Sequence, residues 1–305
     1  MVSRSDRRVC AGFVLAACAL SAGGCASREK AETSREQGAD SYYDVAVGSF
    51  HNGMYEDAKL QLDRALQADP RHANAHYLRG VLLLHEGKSI IDAIEIEQCL
   101  TDDAATQQRA RAEDLHAQAG QAFATAAAAF EPRDAGLGRS YNSMAVVDLF
   151  FERYEDAARD AKAALEVQFY TDRYSALANL GWAHYLEGDR VSATAELRQA
   201  ILLNPDFCVG HYRLAQVYLD GGLAEQALEH ARIVTESPRC PIQDAHRIVG
   251  VAHRRLGQEE QAAAALAQCV ALAPRSCLAA DCRKLLGPGG SPAAQDPPPE
   301  SESAP

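Results

Sequence analysis

The sequence predicts an all-α fold, a right-handed α-solenoid of about six helix–turn–helix repeats closed by a C-terminal capping helix. Three observations carry this. No segment of the 305 residues alternates apolar and polar side chains with the period of two that a half-buried strand needs. Aromatic side chains make up only 7% of the chain, too few for a core built on large rings, while Ala and Leu are abundant. One stretch, Tyr174–Phe207, then carries a pattern that recurs along the chain at a period of about 34 residues. Its marks are Leu177, Leu180-Gly181, His184, Ala193, Leu197, Ala200 and a closing Asn204-Pro205. Gly181 has no side chain, so a second helix can approach the first closely. Ala193 and Ala200, two turns apart on one face of that second helix, permit the same from the other side. Gly188-Asp189 makes the turn, and Pro205, which has no N–H to donate, ends the unit. One such unit cannot bury its own apolar face, so it requires neighbours.

This spacing is that of a tetratricopeptide repeat, and the other units follow in order. Ala39–His72 is nearly complete, with Val45-Ala46, Gly53, Tyr55, Ala58, Leu62, Ala65 and Asp69-Pro70. Ala73 opens a second unit with His76, Gly80 and Gly87. There the register breaks, and it recovers only at Gly120-Gln121-Ala122-Phe123, closing at Glu131-Pro132. Residues 88–116 therefore read as a partly helical insertion between the two helices of this repeat. The third unit, Gly138–Gln168, lacks a closing Pro, and Glu166–Arg173 forms a variant linker into the Tyr174 repeat. Cys208–Pro241 and Gln243–Ser276 are the fifth and sixth units, and Leu278–Leu286 reads as the cap. Residues 39–286 are thus the solenoid. The tail, 287–305, is rich in Pro, Gly and Ser and is expected to be disordered.

Residues 1–24 read as an export signal: basic Arg4, Arg7 and Arg8, an apolar Val9–Leu20, then small residues up to Cys25. The apolar run is too short for a permanent membrane span, which takes about 20 residues. Ala22-Gly23-Gly24-Cys25 resembles a bacterial lipoprotein cleavage box, which assigns lipidation to Cys25. Leu15-Ala16-Ala17-Cys18 is a second match but leaves little apolar run after Arg8, and a cleaved signal without lipid is the other alternative. Several acyl chains on Cys25 would anchor the protein firmly. Ala26 in place of Asp favours the outer membrane, facing the periplasm of a Gram-negative cell, with residues 25–38 as a tether. Loss of residues 1–24 takes the formal net charge from −12 to −14. A chain this acidic has no electrostatic footprint for phosphate backbones, so nucleic acid is excluded as a partner class.

No catalytic constellation is present: there is no Gly-rich phosphate loop, no Gly-x-Ser-x-Gly and no His-Glu-x-x-His. The scattered His residues suit packing better than metal binding, and no cofactor is expected beyond an N-terminal lipid. The chain is read as a monomer and not an enzyme. Six Cys lie beyond Cys25: Cys99, Cys208, Cys240, Cys269, Cys277 and Cys282. Export to an oxidising compartment and an even count point to bridges. Cys208 and Cys240 begin and precede consecutive repeats on one edge, and are paired on that ground. Cys269 would meet Cys277 or Cys282 and staple the end of the array. Zinc is disfavoured because no Cys-x-x-Cys occurs, as is thiol-exchange chemistry.

What remains is the concave face, where the first helix of each repeat lines a groove. The register places Tyr43, Val47 and Phe50 there from the first repeat and Tyr77, Val81 and Leu84 from the second. Val146, Leu149 and Phe150 extend it, followed by Trp182, Tyr185 and Leu186, then Tyr212 and Leu219. The sixth repeat turns basic, with Arg247, Arg254 and Arg255. Exposed apolar area of this kind marks a protein-binding site unless neighbouring helices or the insertion cover it.

An exported, lipidated array of this length resembles the type IV pilus biogenesis lipoproteins of the PilF/PilW family, and within it the Tgl-like members of social gliding motility. The resemblance is clearest from Tyr141-Asn142-Ser143 through Glu152–Ala157, then over Phe169–Gly181 and on to Leu203-Asn204. The Pro-free linker with Phe169-Tyr170 and Arg173 separates it from a generic array. The resemblance implies a pilotin, which helps the pilus secretin reach the outer membrane and multimerise there. It implies a groove towards the N-terminal repeats, at Tyr43, Val47, Phe50, Tyr77, Val81 and Leu84. The insertion, the cysteines and the Pro-rich tail depart from shorter members. A general periplasmic adaptor that recruits cell-wall or envelope-assembly enzymes would fit the repeats equally well.

Overall fold

The computed structural model describes residues 37–287. The signal, Cys25, most of the tether and the tail lie outside the described residues. Among those described there are thirteen α-helices and no strand, an all-α tetratricopeptide-repeat solenoid. Residues 37–78 and 79–287 form two compact units.

In the first unit, helix α1 (37–51) turns at Gly53 into α2 (Tyr55–Ala68). Ala39, Ala46, Ala58 and Ala65 are fully buried and Leu62 nearly so, an interior of methyl groups that holds the helices close. His72 then caps α3 (Ala73–Asp92): its Nδ1 accepts from the Ala75 N–H at 3.1 Å and its Nε2 donates to Asp40 at 3.1 Å.

Within residues 79–287 the repeats continue as helix pairs. After α3 and α4 (Asp103–Ala129) come α5 (Ala135–Phe150) with α6 (Tyr154–Glu166) and α7 (Arg173–Leu186) with α8 (Arg190–Leu203). Then follow α9 (Cys208–Asp220) with α10 (Ala224–Glu236), α11 (Gln243–Arg255) with α12 (Glu259–Leu272), and the capping helix α13 (Cys277–Leu286). Side-chain caps start several of them: Asp134 accepts from the Gly136 N–H, Asp189 from those of Val191 and Ser192, and Ser276 from that of Ala279. The cores are small-residue seams, such as Leu177, Ala178, Ala193, Leu197, Ala200, Leu214 and Val217 between α7, α8 and α9.

The turn inside each regular repeat demands a left-handed residue two positions before the second helix. Gly53, Gly188, Gly222 and Gly257 supply it, with φ between 73° and 93°. In the third repeat Glu152 stands there at φ 58°, a conformation that favours glycine. Arg153 beside it donates from Nε and Nη2 to the Asp148 carboxylate at 2.9 and 2.6 Å, holding the turn from the flank.

The second repeat differs. Residues 88–116 do not form a separate element between two helices; they prolong both. α3 runs through Gly87 and continues as a π-helical turn, Ala93–Glu97, and α4 returns antiparallel over 27 residues. Only 98–102 is non-helical. Gly87 is therefore not a turn. A Cβ there would lie 2.7 Å from the His116 ring, and one on Gly80 2.5 Å from Phe123, so both glycines are points of close helix contact. Arg109 pairs with Glu95 and Arg111 with Glu86 along the hairpin's outer edges.

Two substitutions test this geometry by denaturant unfolding. Gly80→Ala drives a methyl into the fully buried Phe123 ring and should cost about 1–3 kcal/mol. Glu152→Gly should instead stabilise by up to about 1 kcal/mol, because it relieves a left-handed non-glycine residue.

Candidate protein-interaction surface

In residues 79–287 the first helices of successive repeats touch one another, α5 on α7, α7 on α9, α9 on α11 and α11 on α13, whereas the second helices do not pack together in this way. An arc brings elements closer on its inner side, so the first helices form the concave layer. The side chains along its seams are joined to each other. Asn142 donates to Ser175 at 3.2 Å and accepts from Asn179 at 2.9 Å. Asn179 in turn accepts from Arg213 at 2.9 Å. Further on, the Tyr185 hydroxyl donates to Asp220, which also accepts from Gln216 at 3.0 Å. Gln216 accepts from Arg247 at 3.2 Å, and Arg247 pairs with Asp244, the acceptor of the Tyr212 hydroxyl at 3.0 Å. Burial and the Asp220 carboxylate push the Tyr185 phenol up to about 12. Burial and Asp244 push Tyr212 up as well, so both hydroxyls remain donors throughout the physiological range.

The expected groove residues take varied places. Tyr43, Val47 and Phe50 are half-buried on α1, Tyr43 with its ring 5.1 Å from His72 and Phe50 with its ring 5.9 Å from Tyr55. Tyr77, Val81 and Leu84 are half-buried along α3. Val146 is 39% exposed and free to meet a partner, but Phe150 is stacked flat on His116 at 3.7 Å. Trp182 lies 4.8 Å from Tyr185 and under the Arg213 guanidinium. Leu219, placed on the concave face by register, is instead buried in the core between α9, α10 and α11. The sixth-repeat arginines are engaged too: Arg254 donates to the Leu285 carbonyl at 2.7 Å and Arg255 to that of Leu219. The polar residues of the seam escaped the sequence reading. Their signal was positional: Asn179 and Arg213 are 34 residues apart, one repeat, and Arg247 is one repeat further.

The cysteines form three bridges. Cys208 is joined to Cys240 with Cα atoms 5.6 Å apart, tying the starts of the last two repeats. Cys269 takes Cys282, at 6.4 Å, and so staples α12 to the cap. The third bridge, Cys99 to Cys277 at 4.6 Å, joins the tip of the α3–α4 hairpin to the first turn of α13. The π-helical turn before the tip packs on the same helix. The inserted residues are thus a strap joining the two ends of this arc. A disulfide at Cys277 also decides why Cys269 pairs with Cys282.

A cleft of about 370 Å³ lies between α4, α5 and α6, lined by Gln121, Met144, Asp148, Arg153, Arg159 and Asp160. Its charges pair internally, and burial pushes the Asp160 carboxyl up against the opposing pull of Arg159. Among the described residues no group of three or more His, Cys, Asp or Glu side chains is placed to hold a metal ion, and no helix is long and apolar enough to cross a membrane.

The tetratricopeptide repeat family model matches residues 50–89 and 212–276. No curated protein sequence matches the chain. Among solved structures, the fold is similar to that of pilF from Pseudomonas aeruginosa, at 18% identity and a TM-score of 0.60, covering 81% of this chain and 97% of that one. PilW, described as a widely conserved type IV pilus biogenesis factor, gives 18% identity and a TM-score of 0.61 over 80% of this chain and 97% of its own. The APC/C hetero-tetramer Cut9–Hcn1 gives 16% and 0.61, covering 81% of this chain and 42% of that one. At these identities the likeness shows the fold.

Two outcomes check the strap and its contacts. Peptide mapping without reductant should recover Cys99 linked to Cys277, and Cys99→Ser should leave the other two bridges intact while lowering stability by about 2–5 kcal/mol. His116, buried between Gly87 and Phe150, has its pKa lowered by desolvation, so the unfolded state binds a proton more readily than the folded one. Stability should therefore fall as pH drops below about 6.5, and less so in His116→Gln, measured by denaturant unfolding at pH 7 and pH 5.

Proposed function

We propose that this chain is an outer-membrane lipoprotein, anchored through Cys25, that binds the type IV pilus secretin and promotes its localisation and multimerisation. The observation that carries the reading is the resemblance over Tyr141–Asn204, centred on the Pro-free linker Phe169–Arg173. In the structure this linker tucks Tyr170 into the core beside Val167 and Ala176, with Arg173 donating to the Leu165 carbonyl at 2.6 Å. Support also comes from a fold similar to pilF and PilW along nearly their whole length. The secretin segment would engage the apolar side chains of the first helices, Tyr43, Val47, Phe50 and Tyr77 and, further along α3, Val81 and Leu84. Binding there would present a partly formed secretin ring to the membrane on which the lipid holds the complex.

Deleting the gene should abolish heat- and detergent-resistant secretin multimers, read on a denaturing gel. Cys25→Ala should mislocalise them. Val81→Arg with Leu84→Arg should lower them several-fold, with helicity by circular dichroism showing the variant folded. Multimers at normal levels in the deletion strain would sink the secretin assignment and leave a general envelope adaptor.

A further inference from the structure

Arg213 is a buried cation in the seam between α7 and α9 that no carboxylate answers. Its guanidinium reaches from α9 back to α7, where Nη1 donates to the Ala178 carbonyl at 3.0 Å and to Asn179 Oδ1 at 2.9 Å. The group lies 5.4 Å from the centre of the Trp182 ring, a cation–π contact. Asn179 is itself oriented by Asn142, so the fork is fixed by two side chains and a backbone carbonyl. Every acidic side chain along this seam is committed elsewhere: Asp220 accepts from Tyr185 and Gln216, and Asp244 from Tyr212 and Arg247. Among the described residues no Asp or Glu pairs with Arg213. Its Nε and Nη2 have no partner, yet neither is sealed from solvent. That leaves one edge of a planar donor fork, Nε and Nη2, uncommitted and shaped for the two oxygens of a carboxylate.

We propose that the inner face of α7 and α9 carries a carboxylate-binding subsite centred on Arg213 and Trp182, which receives an acidic side chain of the polypeptide partner. Burial with no counter-charge pushes the Arg213 pKa down to about 10, so the group remains a cation at neutral pH in a place that costs it hydration. A carboxylate seated on Nε and Nη2 restores what burial removed. Trp182 lies beside the fork, with the Tyr185 ring 4.8 Å from its own, so an acidic residue with apolar neighbours fits the subsite better than a run of acids. The net charge of −12 points the same way, because a partner rich in carboxylates would be repelled by the rest of the chain. The inference rests on reading the concave face as a protein-binding surface and does not depend on the partner being a secretin.

Trp182 is the single tryptophan of the chain, so its emission reports on this site alone. The probes, titrated against the full chain, are N-acetyl-Leu-Glu-Leu-amide, its Leu-Gln-Leu counterpart, and N-acetyl-Leu-Leu-Leu with a free C-terminal carboxylate. The Glu peptide should give a saturable change at concentrations about ten-fold or more below the Gln peptide. Arg213→Gln should remove that difference. Arg213→Lys, which keeps the charge but loses the fork, should weaken it while retaining the wild-type fold by circular dichroism. An equal response to the Glu and Gln peptides, or a Glu response that survives in Arg213→Gln, would overturn the subsite. A response to the free-acid peptide alone would overturn the side-chain assignment in favour of a chain terminus. No secretin enters the titration, so its result stands whatever the deletion strain shows.

Discussion

A pair of short helices with alanine-rich faces has almost no interior of its own, and that shortage governs the architecture. Ala145, Ala157, Ala161 and Ala183 are fully buried only because α5, α6 and α7 close on each other, and the same holds at each later seam. Small side chains bring little apolar area individually. They compensate by letting backbones approach, which raises the number of dispersion contacts for every atom buried. An array of this kind must be stacked to be stable, and its inner and outer layers follow from the stacking.

Stacking alone leaves an end whose last pair has no successor. Here the end is held twice. α13 covers the last pair with Leu278, Leu285 and Leu286 against Leu266 and Val270, and Cys269–Cys282 locks it there. The Cys99–Cys277 bridge then ties the cap to a hairpin contributed by a repeat far earlier in the chain, at a sequence separation of 178. A solenoid is ordinarily free to stretch, since each unit contacts only its neighbours. A link of this range restrains the unfolded chain and fixes the curvature of the folded one, so the concave layer presents a definite spacing of its side chains.

That fixed curvature gives the polar seam its meaning. Residues such as Asn179, Arg213, Gln216 and Asp244 sit on different helices and meet only at one interhelical spacing. The ladder binds first helix to first helix, and it leaves Arg213 with an open edge beside a seam where Asp220, Asp244 and Arg247 are satisfied by one another and by their neighbours. The apolar ring of Trp182 beneath it belongs to the same arrangement. What this face offers a partner is therefore aromatic surface together with one oriented cation.

The repeat class, the helix pairs and most turns are legible in the residues alone, because they rest on local rules: a 34-residue period, small residues at close contacts, and glycine where φ must be positive. The sequence also paired Cys208 with Cys240, since both lie on one edge a repeat apart. It could not say that residues 88–116 lengthen two helices, because Gly87 looks the same in a turn and in a tight helix contact. Nor could it turn Leu219 inward, a matter of one helix's rotation against its neighbours. The Cys99–Cys277 pairing and the open fork of Arg213 were decided only by the tertiary structure. Both depend on how far successive repeats curve, a sum of many small packing angles that no local pattern records.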